Sequence, residues 1–270
     1  LSRGNPEVYA GLGEVYYSKN RFNEALNQFQ RSIDLNPSNS DYRVKLAKTL
    51  TATGKIKEAK LSYKTAIEME PENYRAFYDL GLLYQKEGDS QSAYENLHMT
   101  VKLNPNYYKT YETLSELYAG EKKLPQAVEE LRTAVRIKKD DPKLHLALAK
   151  LLAESGDEKE SIQEYIKIAA KFPENIEAQK RLGDWYYQQK DLEKSLKYYE
   201  ASQSADSRNA EALIHMGRIY TDLNRTDDAL GVYQKAVKLQ AKDPESYYQI
   251  GRILADRKQW EQAESNLKTA

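Results

Sequence analysis

Apolar and polar positions along the chain recur every 34 residues. Pro37, Pro71 and Pro105 mark this period, and windows beginning at Pro6, Ser40, Tyr74, Tyr108, Pro142, Ile176, Ala210 and Pro244 align without a gap. Position 7 of each window is large and apolar (Leu12, Leu46, Leu80, Leu114, Leu148, Leu182, Met216, Ile250), and position 8 is small (Gly13, Ala47, Gly81, Ser115, Ala149, Gly183, Gly217, Gly251). Position 11 is Tyr or Leu, position 20 is Ala or Ser, and position 24 is bulky: Phe29, Tyr63, Leu97, Leu131, Tyr165, Tyr199, Tyr233 and Leu267. Residues three and four apart adjoin on a helix surface, so positions 4, 7, 8 and 11 make one face of a first helix. Positions 20, 24 and 27 make one face of a second. The pattern predicts about sixteen helices and no strands. Small residues at 8 and 20 let paired helices approach, and large ones at 7, 11 and 24 fill the space beside them. Between the helices, position 15 carries Asn20, Gly54, Gly88, Gly156 and Asn224, residues that tolerate the left-handed conformation ending a helix.

These columns resemble the tetratricopeptide repeat family, with its aromatic at 4, Leu-Gly at 7 and 8, Tyr at 11, Ala at 20, aromatic at 24 and Pro at 32. The resemblance covers residues 6–270 and implies an all-α fold, an α-solenoid wound as a right-handed superhelix, with residues 1–270 one solenoid. Some positions depart from the pattern. Position 4 is Arg43, His145 and Gln179 in repeats two, five and six; position 27 is Ile168 in repeat five; position 32 loses proline at Lys139, Ser207 and Ala241. The chain stops at Ala270, position 27 of the eighth repeat, without a polar capping helix. Solenoids usually carry one, so either further sequence in a longer protein or a contact covering this end is expected.

Composition narrows the function. Lys+Arg and Asp+Glu are both 41, giving zero net charge. That balance argues against a sequence-independent nucleic-acid binder and removes the simplest electrostatic reason for attachment to an anionic membrane. No apolar run reaches the roughly 20 residues that span a bilayer, so direct membrane insertion is not expected. With no cysteine there is no disulfide or thiolate chemistry, and such a chain suits cytosol and periplasm alike. No phosphate loop, dinucleotide fingerprint or His-Glu-x-x-His motif occurs. His98, His145 and His215 fall in repeats three, five and seven, too far apart for one metal site. No catalytic residue, cofactor or metal is expected, and the chain is not expected to be an enzyme.

In the family that the columns resemble, first helices line a concave surface on which ligands lie. The resemblance therefore nominates positions 2, 5, 6, 9, 12 and 13. A subtype that grips a peptide's C-terminal carboxylate needs Lys at 5 and Asn at 9; here those positions are Ala10 and Glu14, followed by Lys45 at position 6 of the next repeat, and no three consecutive repeats supply the set. What the groove positions do offer is charge with aromatic neighbours. Lys45 and Lys48 should face Arg75 and Tyr78. Glu112 and Glu116 follow in repeat four. Lys150 should lie near Lys180 and Arg181, with Leu146 and Tyr187 close by, and Arg218 and Arg252 continue the basic side beside Tyr248. The expected partner is a protein or peptide segment with acidic residues and apolar anchors, held on an interaction scaffold. The opposing expectation is a solvated face neutralised within its own helices, Glu177 to Arg181 and Lys180 to Asp184. Two alternative functions remain open: a substrate-recruiting segment of a larger enzyme such as a glycosyltransferase, and self-association through the uncapped last repeat.

Overall fold

The computed structural model describes residues 4–240 and 243–270. Among them the chain forms sixteen α-helices and no strand. The first helices of the eight repeats are α1 Pro6–Ser18, α3 Ser40–Ala52, α5 Tyr74–Glu87, α7 Tyr108–Gly120, α9 Pro142–Glu154, α11 Ile176–Gln188, α13 Ala210–Asp222 and α15 Pro244–Asp256. The second helices are α2 Phe22–Leu35, α4 Ile56–Met69, α6 Ser90–Leu103, α8 Leu124–Ile137, α10 Glu158–Lys171, α12 Leu192–Ala205, α14 Thr226–Leu239 and α16 Trp260–Thr269. Every first helix begins on the residue that opens its 34-residue window. The chain divides into two compact units of four repeats each, Leu1–Asp140 and Asp141–Ala270.

Local chemistry starts and stops these helices. The side chains of Asn5, Asn39, Asn73, Asp141, Asn175, Asn209 and Asp243 each accept a hydrogen bond from a backbone N–H of the following first turn. Such a cap is worth about 1 kcal/mol. The exception is α7, preceded by Tyr107, whose ring instead meets Tyr74 and Tyr78 edge-on at 5.3 and 5.0 Å. Every first helix ends at position 15 with a residue of positive φ: Asn20, Gly54, Gly88, Lys122, Gly156, Lys190, Asn224 and Lys258. The N–H that follows reaches back to the carbonyl of position 11, as from Arg21 to Tyr16 and Asp191 to Tyr186, and closes the turn. Three of the eight left-handed residues are lysines, which the sequence columns do not signal.

Within a pair the helices run antiparallel: Ser62 at position 23 donates to the carbonyl of Arg43 at position 4, and Ser195 at position 20 to that of Gly183 at position 8. The close approach at position 8 calls for glycine in repeats one, six and seven. A Cβ on Gly13, Gly183 or Gly217 would stand 2.5–2.7 Å from the position-24 ring of Phe29, Tyr199 or Tyr233. Those rings are buried, as are position 24 of repeats one to seven and all of positions 8 and 20. A fully buried side chain of this size contributes roughly 1.5–3 kcal/mol. Among the large residues of positions 7, 11 and 24 only the outermost are exposed, Leu12 in repeat one and Leu267 in repeat eight.

The departures from the pattern find individual solutions. Arg43 directs its Nε at Met69 Sδ, 3.1 Å away. His145 Nδ1 lies 2.7 Å from the buried carboxylate of Glu164. Ile168 is fully buried in the place where small residues are usual. Ser207 offers its carbonyl to Gln203. Ala241 lies outside the described residues.

Candidate partner-binding surface

The nominated residues lie on first helices, and within each unit successive first helices are joined by their side chains. In the Leu1–Asp140 unit, α1, α3, α5 and α7 also approach one another directly, more closely than the second helices do. In the Asp141–Ala270 unit the joins are polar: Lys150 to Glu177 at 2.7 Å, Lys180 to Glu211 at 2.5 Å, Tyr187 to Asp222 at 2.6 Å, and Arg218 Nε to Glu245 at 2.6 Å.

A rule organises the charges. Within a unit, charged residues at position 9 of one repeat face position 2 of the next, 27 residues on. Where the two are opposite they pair, as in Lys150–Glu177 and Arg218–Glu245. Where they are alike, position 6 of the following repeat compensates. Glu14 and Asp41 are both acidic, and Lys45 Nζ contacts each at 2.7 Å. Lys48 and Arg75 are both basic, and Asp79 accepts Lys48 at 2.9 Å with Arg75 close enough to act on its charge. Asp184 and Glu211, both acidic, depart from this rule: position 6 is His215, whose charged form burial disfavours, and Lys180 takes Glu211 instead. Burial pushes Asp79 above the ordinary carboxylate range despite its basic neighbours. Burial likewise pushes His215 down, with Arg218 and Lys180 acting the same way and Asp184 and Glu211 opposing.

The expected intrahelical pairs do not form. Glu177 turns to Lys150, and Lys180 to Glu211. Arg181 lies instead over the Tyr165 ring, 5.9 Å from its centre, and Asp184 accepts the Tyr199 hydroxyl at 2.5 Å. An aromatic face and a phenol hydroxyl from the packed interior thus outcompete exposed i, i+4 partners, which are worth only a few tenths of a kcal/mol. Lys45 also departs from expectation, turning back to α1 rather than to Arg75 and Tyr78.

The other nominated residues fall as follows. Arg75 lies over the Tyr74 ring and Arg252 over Tyr248, at 5.7 and 5.8 Å. Tyr78 shares a hydrogen bond with Thr113, at 3.3 Å, and Glu112 and Glu116 act on its hydroxyl from α7. Leu146 packs against the buried cluster around Tyr165. The bond to Asp222, aided by burial, pushes Tyr187 up to about 12.

Sequence reasoning missed the position-24 tyrosines, which it assigned to the core alone. Tyr63, Tyr165, Tyr199 and Tyr233 are buried, yet their hydroxyls reach the first-helix face. There the Tyr199 hydroxyl donates to Asp184 and Arg181 lies over the Tyr165 ring, while Asp79 and Arg218 act through their charge on the hydroxyls of Tyr63 and Tyr233. The signal is present in the column, where four of eight residues are Tyr rather than a side chain without a hydroxyl. The three histidines form no metal site, and no cluster of metal-ligating side chains exists among the described residues. His98 stacks on Tyr94, His215 on Tyr199, and His145 serves Glu164, where burial pushes the carboxyl up but Lys167 and His145 hold it below the usual range. No helix among the described residues is long and apolar enough to cross a membrane.

Known proteins match this architecture. TPR repeat profiles match residues 13–54, 47–88 and 217–257, and further tetratricopeptide repeat profiles match 75–107, 118–184 and 177–209. No curated protein matches the sequence significantly. Among solved structures, the C-terminal part of a TPR repeat-containing protein from Cytophaga hutchinsonii is similar over 88% of this chain and 98% of its own, with a TM-score of 0.73 at 14% identity. Pseudomonas aeruginosa pilF is similar over 93% and 97%, with a TM-score of 0.51 at 18% identity. A structure of Naa15/Naa10 bound to HypK-THB is similar over 93% of this chain and 39% of its own, with a TM-score of 0.54 at 17% identity. Repeat register, helix pairing and profile matches agree, and the chain belongs to the tetratricopeptide repeat family.

Proposed function

We propose that the first-helix face of each unit is a protein-interaction surface that takes a partner segment bearing acidic residues beside apolar ones. The observation that carries this reading is a pair of places, on a face of otherwise mixed charge where Glu14, Asp41 and Lys45 leave an anion over, at which a cation remains after compensation. Lys48, Arg75 and Asp79 leave one cation in excess, and so do Lys150, Glu177 and Arg181. In both places the arginine lies against a tyrosine ring. Arg75 also donates its Nε to the Tyr74 hydroxyl at 3.3 Å; a guanidinium positioned in this way has further N–H donors for a carboxylate and loses less freedom on binding. Around Arg75 the rings of Tyr74, Tyr78 and Tyr107 supply apolar contact, and around Arg181 Tyr165 and Leu146 do so. The cross-repeat ion pairs hold this face in shape before a partner arrives, which limits the ordering cost of binding. The Naa15/Naa10 structure, bound to HypK-THB, supplies a precedent for partner binding on a similar fold.

The geometry also dictates the test. Charge reversal at Lys150 or Lys180 would set two carboxylates against each other, at Glu177 or Glu211, and would confound folding with binding. Arg75→Gln and Arg181→Gln remove the proposed contacts without that clash, and Lys64→Gln on exposed α4 is the control. Proteins retained from native lysate by the wild type and by Lys64→Gln should be lost by the double arginine variant at unchanged helicity. Equal retention by all three would refute the assignment.

A further inference from the structure

On the second-helix side of the Asp141–Ala270 unit, repeat six lacks a ring that other repeats possess. Position 4 is Tyr111 in repeat four, and its hydroxyl donates to the carbonyl of Pro105, six residues back, at 3.0 Å. In repeat six position 4 is Gln179, whose Nε2 donates to the corresponding carbonyl, that of Pro173, at 2.9 Å. The hydrogen bond is kept while the ring is gone. Two neighbours are also short. Position 28 is Ile33, Ile67, Val101, Val135, Gln203 and Val237 in other repeats but Ala169 in repeat five; position 26 is Arg31, Thr65, Met99, Thr133, Lys167, Lys235 and Thr269 elsewhere but Ala201 in repeat six. The three truncations converge on a hollow of 350 Å³ between α10, α11 and α12, walled by Ile166, Ala169, Pro173 and Tyr198.

This hollow has a polar requirement. Gln179 is 3% exposed and lines it, and the amide oxygen Oε1 has no hydrogen-bond partner. A buried acceptor left unpaired costs about 1–3 kcal/mol, so a donor that reaches it is rewarded beyond its apolar contacts. Tyr198, stacked on Tyr186 with ring centres 5.4 Å apart, presents aromatic surface at the wall. The indole of tryptophan matches these features: it fills ring-shaped apolar space and carries one N–H donor with no acceptor to leave unsatisfied.

We propose that this hollow receives a tryptophan side chain of a partner protein, with its ring in the space vacated at position 4 and its N–H donating to Gln179 Oε1. The site lies on the side opposite the first-helix face and stands independently of the function proposed above. A single aromatic anchor in a preformed pocket is a common form of interface hot spot.

The probe is N-acetyl-tryptophanamide, titrated into the full chain while the methyl NMR signals of Ile166, Ala169 and Ala201 are followed. Saturable shifts confined to these methyls are expected. The 1-methylindole analogue, which has lost the donor, should bind about two- to tenfold more weakly. Gln179→Tyr, which restores the residue of repeats one, four and eight, should abolish the shifts while the thermal melt stays at or above that of wild type. Absence of saturable shifts in the wild type would overturn the proposal. So would equal binding of the methylated analogue or of N-acetyl-leucinamide, or undiminished binding by a folded Gln179→Tyr.

Discussion

Gly217→Ala should destabilise the α13–α14 pair, although alanine is the better helix former. Its Cβ would stand 2.5 Å from two ring carbons of Tyr233 and 2.9 Å from a third, where ordinary contact begins at 3.4 Å. Roughly 1 Å of separation must therefore be found. Tyr233 cannot supply it by swinging away, since its side chain is 0% exposed and lies between Ala229 and Ala236, also 0% exposed. The helices themselves must part. Overpacking of this kind costs typically about 1–3 kcal/mol, and the intrinsic gain of about 1 kcal/mol for replacing a helical glycine offsets part of it. The expected net loss is up to about 2 kcal/mol. Gly231→Ala on α14 is the matched control: nothing lies within 4 Å of its added Cβ, so the same chemical change should stabilise by up to about 1 kcal/mol. A global melt averages over repeats that fray separately, so the proper readout is native-state amide exchange along α13 and α14. If Gly217→Ala protects those amides as well as wild type does, position 8 is not set by the ring at position 24.

Lys190 holds a left-handed φ of 62° at the end of α11. Lys190→Gly should relieve about 1–2 kcal/mol of backbone strain against about 0.5–1 kcal/mol of added unfolded-state entropy, a net gain near 0.5–1 kcal/mol readable in a urea titration. His215 carries a pH dependence. Its folded pKa lies below the unfolded one because burial disfavours the imidazolium, so the folded state binds fewer protons between the two values. Stability from this group is complete above the unfolded pKa of about 6.5 and is lost as pH falls below it. The protection factors of α12 and α13 amides, corrected for the pH dependence of intrinsic exchange, should therefore fall between pH 7 and 5, and His215→Gln should flatten the trend.

The repeat columns made the helix pairs readable because each column has one steric job repeated eight times. Small at 8, bulky at 24 and left-handed at 15 are requirements of contact and turn geometry that composition reveals directly. Lysine at 122, 190 and 258 escaped because the turn tolerates a residue that does not advertise it. On the binding face, the residue types were readable but their partners were not. Helical i, i+4 spacing pointed Glu177 at Arg181, whereas the nearer partner is Lys150, 27 residues back across a repeat boundary. That spacing recurs in Arg218–Glu245, so a search at the inter-repeat interval would have found it. Tyr165 and Tyr199 were read as core because their rings are core; that their hydroxyls emerge among Arg181 and Asp184 depends on ring direction, which burial patterns do not encode. Gln179 was visible as a departure, but its consequence needed the truncations at Ala169 and Ala201, on different helices.

The most direct test of the binding-surface account is photo-crosslinking in native lysate from a benzophenone amino acid placed singly at Tyr17 or Tyr248, exposed on first helices, or at Leu61 or Lys235, exposed on second helices. The account predicts protein adducts from Tyr17 or Tyr248 that an acidic competitor peptide suppresses, with none shared by Leu61 and Lys235. Adducts arising only from Leu61 or Lys235, or indifferent to the competitor, would contradict it.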